Sequence, residues 1–263
     1  MGIGALVFYF YTRSDLWLDE TLSVNIARLP LSDLREALRH DGSPPLYYVL
    51  LHFWTSVFGT SAVAARSLSG VCMLGGVVAV WFAARRLGGR QLAWLSALVM
   101  LANPFAFRYA TEARMYALEI LLVACGIVAF QRVVERPTYG RAAVFGVLVA
   151  LGLYTQYWMF YLLPVVVALV LWMMWHGNDR VAARRLLVAM AGGVVAFLPW
   201  LPTFIYQGTH TGTPWGTPVL PALPFGYTLR DFAGGANYGI EVQEGWWSSQ
   251  RERGIPPFIR IHA

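Results

Sequence analysis

Long apolar stretches separated by short arginine-bearing connections dominate the pattern of this chain. Five long apolar runs lie near residues 67–84, 91–107, 115–131, 142–175 and 186–206. A helix of about 20 residues, rising about 1.5 Å per residue, crosses a hydrocarbon core about 30 Å thick. The pattern therefore predicts an all-α polytopic membrane protein.

The fourth apolar run is too long for one span, and a polar interruption at residues 154–157 (YTQY) divides it. We interpret it as a hairpin of two helices, 142–154 and 158–175. Residues 2–11 are apolar but too short to span, and neither a preceding cation nor a small-residue cleavage site marks them as a signal peptide. They are interpreted as the end of a partial first helix over 1–12.

The sequence after the last apolar run contains no further span. Residues 208–225 are rich in Gly, Pro and Thr, which is typical of a loop. We therefore expect residues 1–206 to form the transmembrane domain and residues 207–263 to form an extracytoplasmic loop and tail of a shortened protein.

The arginines predict the orientation of the bundle. Nine of the 20 form three clusters in alternate connections between the predicted spans, and the sequence has no lysine. The positive-inside rule assigns these three connections to the cytoplasm. Residues 13–66, the 108–114 turn, the 154–157 turn and the tail then face the outer side of a plasma membrane. The clusters are Arg85, Arg86 and Arg90; Arg132, Arg136 and Arg141; and Arg180, Arg184 and Arg185.

Residues 45–58 (PLYYVLLHFWTSVF) form a shorter apolar segment that allows two interpretations. A helix of this length extends only about 21 Å, and its aromatic side chains suit a membrane interface. We expect it to lie along the outer surface or dip into it, beside an amphipathic juxtamembrane helix over 32–39. As a span, it would instead separate Asp19 and His40 from Glu112.

Composition excludes several classes of protein. Hydrophobic residues make up 57% and charged residues 13% of the 263, whereas a soluble domain carries about 25% charged residues. Both cysteines, Cys72 and Cys125, fall within predicted spans, so no disulfide framework is expected. The net charge of +6 comes from arginines in short clusters between apolar runs. The lipid bilayer is therefore an expected partner and nucleic acid is not.

Two adjacent carboxylates, Asp19 and Glu20, open the first outer loop. Such a pair can serve as a general base, as a metal ligand, or as both. Acidic residues also favour the first turn of a helix, and Leu22, Ile26 and Leu29 follow at helical spacing. The residues alone favour this second interpretation, a helix start.

His40 and Asp41 come next, directly before residues 42–48 (GSPPLYY). The two prolines bias the residues before them away from the helical conformation, which predicts an extended turn. This turn could hold His40 and Asp41 at the start of the 45–58 segment. A histidine in this setting is more often a surface residue than a ligand.

The turn at 108–114 carries Arg108, Glu112 and Arg114 at the boundary of a span. Ionisable residues there are costly unless they are paired or used. Arg108 and Glu112 are four residues apart and could form an ion pair, as could Glu112 and Arg114. Alternatively, Arg114 could recognise a phosphate through its planar fork of donors.

The order of these motifs resembles the GT-C superfamily of polyprenyl-phosphate-sugar glycosyltransferases. The nearest branch is the bacterial relatives of protein O-mannosyltransferases and of the lipid A aminoarabinose transferase. The resemblance covers roughly residues 5–206. The motifs that carry it are WLDE at 17–20, DGSPPLYY at 41–48, ARSLSG at 65–70, YATEARMYAL at 109–118 and LPWLP at 198–202.

The resemblance implies a GT-C-type transmembrane helix bundle and assigns roles to several residues. It implies that Asp19 and Glu20 are catalytic, with these two as the ligands if a divalent metal ion is a cofactor. It also implies a substrate-binding role for five residues of the same cavity: His40, Asp41, Glu112, Arg114 and Tyr116. Related proteins often have histidine where this chain has Gln156.

The implied reaction moves a mannose-like or arabinose-like sugar from a polyprenyl phosphate to a hydroxyl of a glycan, lipid or protein on the outer face. Asp19 would act as the base and Arg114 would stabilise the departing phosphate, with inversion at the anomeric carbon. An inactive remnant or a membrane scaffold is the alternative. A secondary transporter is disfavoured because its charged residues should lie near the bilayer midplane.

Overall fold

A computed structural model describes residues 15–177 and 179–211, and within these ranges the chain is helical and contains no strand. The predicted partial helix over 1–12 and almost all of the predicted tail lie outside the described residues. The helices are α1 Leu18–Ala27, α2 Leu31–Asp41, α3 Leu46–Phe58, α4 Ala62–Ala102, α5 Pro104–Ala110, α6 Tyr116–Glu135, α7 Tyr139–Thr155, α8 Met159–His176, α9 Arg180–Phe197 and α10 Leu201–His210.

Helix α4 consists of two arms, 62–87 and 90–102, that fold back on each other. Gly88 and Gly89 interrupt it with non-helical backbone, and Gly89 has a φ of 75°, which L side chains rarely adopt. The rings of Trp81 and Trp94 lie 5.8 Å apart across the two arms. The break is therefore the connection that the sequence predicts between the spans 67–84 and 91–107.

Four segments of the described chain are long and apolar enough to cross a membrane: Ala62–Ala102, Tyr116–Glu135, Met159–His176 and Arg180–His210. Helix α7 is apolar but shorter, and it packs closely on α9. At this contact, a Cβ added to Gly146 would lie 2.7 Å from the Ala189 carbonyl oxygen, so only glycine fits. Close approach through small residues is how helices associate in lipid. The chain is an all-α polytopic membrane protein, as predicted.

The three arginine clusters meet at one end of the bundle. Arg86 forms an ion pair with Glu135, and the Arg141 Nη1 donates to the Arg132 carbonyl oxygen at 2.7 Å. The Arg185 guanidinium lies 4.4 Å from the centre of the Tyr139 ring. These contacts join the α4 break to the α6–α7 and α8–α9 connections. We refer to this region as the arginine end.

Helices α1, α2 and α3 lie at the opposite end of the first arm of α4. The Tyr47 and Ser69 hydroxyls are 3.3 Å apart, and the Trp54 Nε1 donates to the Ala64 carbonyl oxygen at 3.0 Å. Helix α3 thus runs beside only the first turns of α4. It does not pass from one end of the bundle to the other.

The structure corrects three predicted boundaries. Arg180, Arg184 and Arg185 lie in the first two turns of α9 and not in a loop. The predicted span 91–107 ends at Ala102, because the Asn103 side chain caps the new helix α5. The predicted loop from residue 208 begins later, since α10 continues to His210 after a short 3₁₀ turn.

Candidate functional site

A fully buried ion pair lies where the first loop meets α4. The Arg66 Nε donates to the Glu20 Oε1 at 2.9 Å, and the Nη2 donates to the Oε2 at 2.6 Å. The two side chains are only 1% and 0% exposed. This bidentate geometry gives a strong charge-assisted contact and fixes both side chains. It fastens α1 to the start of the first membrane-crossing arm.

The same carboxylate also binds backbone from two other segments. The Ala113 N–H donates to the Glu20 Oε1 at 2.8 Å, and the Trp17 N–H donates to the Oε2 at 3.3 Å. Burial alone would raise the pKa of Glu20, but the Arg66 side chain and these N–H donors outweigh it and lower the pKa. Glu20 therefore stays ionised and joins three segments at one point.

Asp19 differs from its neighbour in every one of these respects. It is half-buried, and among the described residues no hydrogen bond or ion pair engages its carboxylate. Its carbonyl oxygen accepts from the Ser23 hydroxyl at 2.8 Å within α1. The structure therefore divides the acidic pair into one fixed carboxylate and one available carboxylate.

Arg114 is a cation within electrostatic reach of this available carboxylate. Its Nη1 donates to the Ser23 hydroxyl at 3.3 Å, and its Nε is buried without an acceptor in the described ranges. Burial opposes its charge, but Tyr48, Tyr116 and Asp19 together raise the pKa of Arg114. The guanidinium is cationic, and its Nε donor is not used within the described ranges.

Two tyrosines at the start of α3 border this region. The Tyr48 hydroxyl donates to the Asp41 Oδ2 at 2.5 Å, and burial followed by the Asp41 charge raises the pKa of Tyr48. The Ser69 hydroxyl, which lies beside the Tyr47 hydroxyl, donates to the Arg114 carbonyl oxygen at 3.3 Å. Asp41 and Arg114 are thus connected to neighbouring residues of one helix.

Glu112 is buried and accepts a hydrogen bond from the Arg108 Nε at 2.9 Å. This is the helix-end ion pair that the four-residue spacing predicts. Tyr116 begins α6, with its ring 4.7 Å from that of Tyr109 and 6.0 Å from the Arg114 guanidinium carbon. Glu112 and Tyr116 therefore flank Arg114 on either side.

His40 lies apart from these contacts on the exposed face of α2. Its Nε2 is 3.7 Å from the Glu36 Oε1, and its ring lies edge-on to Tyr206 at 6.2 Å. The predicted substrate-binding role of His40 receives no support from these contacts. These contacts fit the interpretation of His40 as a surface residue better.

Sequence reasoning missed Arg66 and Gln207 as parts of this region. Arg66 appeared only inside a motif, although a cation at a span boundary is itself a signal that a partner exists. Gln207 is buried, and its Nε2 donates to the Leu38 and Ser43 carbonyl oxygens at 2.7 and 3.2 Å. It also accepts from the Tyr157 hydroxyl. No local pattern in the sequence predicts this contact.

The donor set does not fit a divalent metal ion. Both Glu20 oxygens already accept from N–H groups, which leaves Asp19 as the one available carboxylate of the predicted metal pair. Within residues 15–177 and 179–211, no group of three or more His, Cys, Asp or Glu side chains could hold a metal ion. A divalent ion prefers several oxygen ligands.

Comparison with protein families decides the class of this protein. The family model for dolichyl-phosphate-mannose-protein mannosyltransferases matches residues 42–206, which is more than half of the chain. The chain belongs to this family. It is a membrane glycosyltransferase of the GT-C type, and the family implies a lipid-linked sugar donor. No curated protein and no solved structure matches the chain.

The match to this glycosyltransferase family covers only part of the candidate site. They include Arg66, Glu112, Arg114 and Tyr116, but they begin after Asp19 and the other residues of α1. The hydrogen bond from Ala113 to Glu20 nevertheless brings α1 against the matched part. The predicted GT-C membership is confirmed, and the roles of individual residues remain predictions.

Proposed function

We propose that this protein transfers a sugar from a polyprenyl-phosphate donor to an acceptor hydroxyl, with Asp19 as the general base and Arg114 as the phosphate-binding cation. One observation carries the proposal. No described residue forms a hydrogen bond or ion pair with the Asp19 carboxylate, which lies close enough to Arg114 to raise the pKa of that guanidinium. Both are held by the same buried framework of Glu20, Arg66 and Ala113.

The reaction needs a proton acceptor on one side of the anomeric carbon. The acceptor oxygen forms a bond to the anomeric carbon, and the Asp19 carboxylate takes its proton. A positioned base of this kind contributes about 10²- to 10⁴-fold to the rate. A carboxylate already saturated with hydrogen bonds, such as Glu20, would be poorly suited to this step.

The other side of the anomeric carbon needs a group that stabilises the departing phosphate. As the bond from carbon to phosphate oxygen breaks, the electron pair stays on that oxygen and negative charge develops there. The Arg114 Nε, which has no acceptor among the described residues, suits a phosphate oxygen. A single displacement of this kind inverts the configuration of the sugar.

We further propose that the reaction takes place on the outer side of the membrane. Helix α6 runs from Tyr116, next to Arg114, to Glu135, which pairs with Arg86. Its 20 residues extend about 30 Å, the thickness of a hydrocarbon core. Since the positive-inside rule assigns the arginine end to the cytoplasm, Asp19 and Arg114 would face outward.

A transfer assay with the membrane-embedded chain tests this proposal. Membranes would be incubated with polyprenyl phosphates that carry radiolabelled mannose or aminoarabinose, and label transferred to glycan, lipid and protein fractions would be counted. Asp19→Asn should reduce transfer by about two to four powers of ten, the usual value of a positioned base. Helix content and thermal stability should hardly change because the Asp19 carboxylate forms no hydrogen bond or ion pair in the described part of the chain.

Asp33→Asn provides the matched control, since Asp33 is an exposed acid of the same loop and should be replaceable without loss of transfer. Transfer by Asp19→Asn at the rate of this control would contradict the catalytic role of Asp19. Absence of transfer by the unmodified chain from either donor would contradict the proposed reaction.

A further inference from the structure

An apolar groove with a charged mouth runs along the outside of the bundle, far from Asp19 and Arg114. It has a volume of about 450 Å³ and lies between the first arm of α4, α6 and α7. Its walls are apolar side chains such as Val78, Phe82 and Leu148. Arg132 and Arg141 are the charged residues among the described side chains that line it.

The groove opens toward the lipid and not toward the interior of the bundle. Three of its wall residues, Val78, Phe82 and Val144, are 54%, 46% and 56% exposed. Along α4 it extends from Gly75 to Phe82, which is about 10 Å of helix. Along α6 it is lined from Cys125 to Arg132, in the half of that 20-residue helix nearer the arginine end. Since half of a hydrocarbon core is about 15 Å thick, the groove fits within one leaflet of the bilayer.

The mouth of the groove carries an excess of positive charge among the described residues, because Arg86, Arg132 and Arg141 all lie within electrostatic reach of the single carboxylate of Glu135. The Arg141 Nη1 donates to the Arg132 carbonyl oxygen, which holds both arginines together at the end of α6. The Arg132 side chain itself has no hydrogen bond or ion pair in the described part of the chain. Glu135 forms its ion pair with Arg86, so its one negative charge only partly offsets the charges of Arg132 and Arg141.

We propose that this groove is a binding site for an anionic phospholipid, such as phosphatidylglycerol. One acyl chain lies along the apolar walls, and the phosphate accepts hydrogen bonds from Arg132 and Arg141. Guanidinium groups match phosphate geometry, and basic pockets between membrane helices favour anionic headgroups. A groove confined to one leaflet fits an acyl chain better than the much longer chain of a polyprenyl phosphate.

Native mass spectrometry of the purified full chain tests the headgroup contact. Equal amounts of phosphatidylglycerol and phosphatidylcholine would be added in detergent, and the bound lipid counted. We expect preferential retention of phosphatidylglycerol, and the double variant Arg132→Gln with Arg141→Gln should reduce it about 10- to 30-fold. The double variant Arg90→Gln with Arg180→Gln is the matched control, because these arginines are exposed at the same end but do not line the groove.

A second pair of variants tests the acyl-chain contact without changing the charge. Val144→Trp fills the groove from an exposed wall position and should reduce retention of phosphatidylglycerol about as strongly. Val147→Trp is its control, since Val147 is 57% exposed on the same helix and lies outside the groove. Circular dichroism and gel filtration would verify that all variants fold.

Two results would overturn the proposal. Equal losses for the groove arginines and the control arginines would indicate diffuse electrostatic attraction and not a site. The assignment of an anionic phospholipid would be wrong if Val144→Trp retained as much phosphatidylglycerol as Val147→Trp. It would also be wrong if the chain retained polyprenyl phosphate more strongly than phosphatidylglycerol.

Discussion

The Arg66 guanidinium binds the Glu20 carboxylate through two hydrogen bonds of 2.9 and 2.6 Å, with both side chains buried and 46 residues apart in the sequence. The Ala113 N–H, a further 47 positions along, binds the same carboxylate. This contact holds α1, α4 and the turn before α6 together. It leaves the adjacent Asp19 carboxylate available beside Arg114.

We predict that Glu20→Gln destabilises the protein strongly. Removal of one partner of a buried ion pair leaves an unpaired charge and costs about 3–5 kcal/mol. The free energy of unfolding of the purified chain in detergent micelles, measured by denaturant titration, would report this loss. Transfer activity would fall with it, because the position of Asp19 depends on α1.

The control for this prediction is Glu36→Gln. The Glu36 side chain is 65% exposed and pairs with Arg39 and His40 at the surface, so its loss should cost no more than about 1 kcal/mol. A loss of similar size for both variants would show that the burial of Glu20 has no special consequence.

We also predict that acid removes the stabilisation that Glu20 provides. The pKa of Glu20 is lower in the folded chain than its ordinary value of 4.5. A lowered folded pKa gives stability that is complete above the unfolded pKa and is lost as the pH falls through the folded pKa. The difference in melting temperature between the unmodified chain and Glu20→Gln should therefore be largest above about pH 5 and shrink in more acidic buffer. A difference that stays constant down to about pH 3 would contradict this linkage.

Arg114→Lys should weaken the use of the lipid-phosphate donor while stability hardly changes. Lysine keeps the charge but lacks the planar fork that suits a phosphate. The apparent affinity for the donor, measured in the transfer assay, should fall for Arg114→Lys and stay normal for Arg108→Lys. Arg108 is the matched control because its side chain is 58% exposed and its described partner is Glu112.

The double variant Glu112→Gln with Arg114→Lys would separate substrate contacts from mutual pairing. If each residue faces a substrate, the losses in transfer rate should compound. A double variant no worse than either single variant would indicate that the two residues act only through each other.

The predicted orientation can be tested by labelling single cysteines with an impermeant thiol reagent. In a background lacking Cys72 and Cys125, Ser32→Cys and Trp158→Cys should react from outside, because both positions are exposed in segments assigned to the outer side. Thr138→Cys, exposed at the arginine end, should react only after the membrane is permeabilised. Labelling of Thr138→Cys in intact cells would reverse the orientation.

The sequence alone determined the helical framework, because each span is a local property of an apolar run. The break at Gly88 and Gly89 was also predictable, since glycine at a positive φ interrupts a helix without side-chain strain. The end of α9 at Phe197 was not predicted, because the apolar run 186–206 continues through the 3₁₀ turn at Leu198–Trp200. The boundaries differed by several residues because arginines at span ends remain helical.

The sequence also placed Asp19 and Glu20 in a helix start, and α1 does begin at Leu18. It could not divide their roles. Glu20 points toward Arg66, whereas Asp19 does not. Which of the two carboxylates meets Arg66 depends on how α1 packs against α4. His40 shows the same limit, because its neighbour Tyr206 comes from α10.

Only the tertiary structure decided which charged groups are fixed and which are available. A hydrogen bond between residues 46 or 93 positions apart depends on the packing of helices that are far apart along the chain. Local patterns record hydrophobicity and backbone preference, which set where helices form. The pairing of Glu20 with Arg66 follows instead from burial, since a charge removed from water must find an opposite charge within reach.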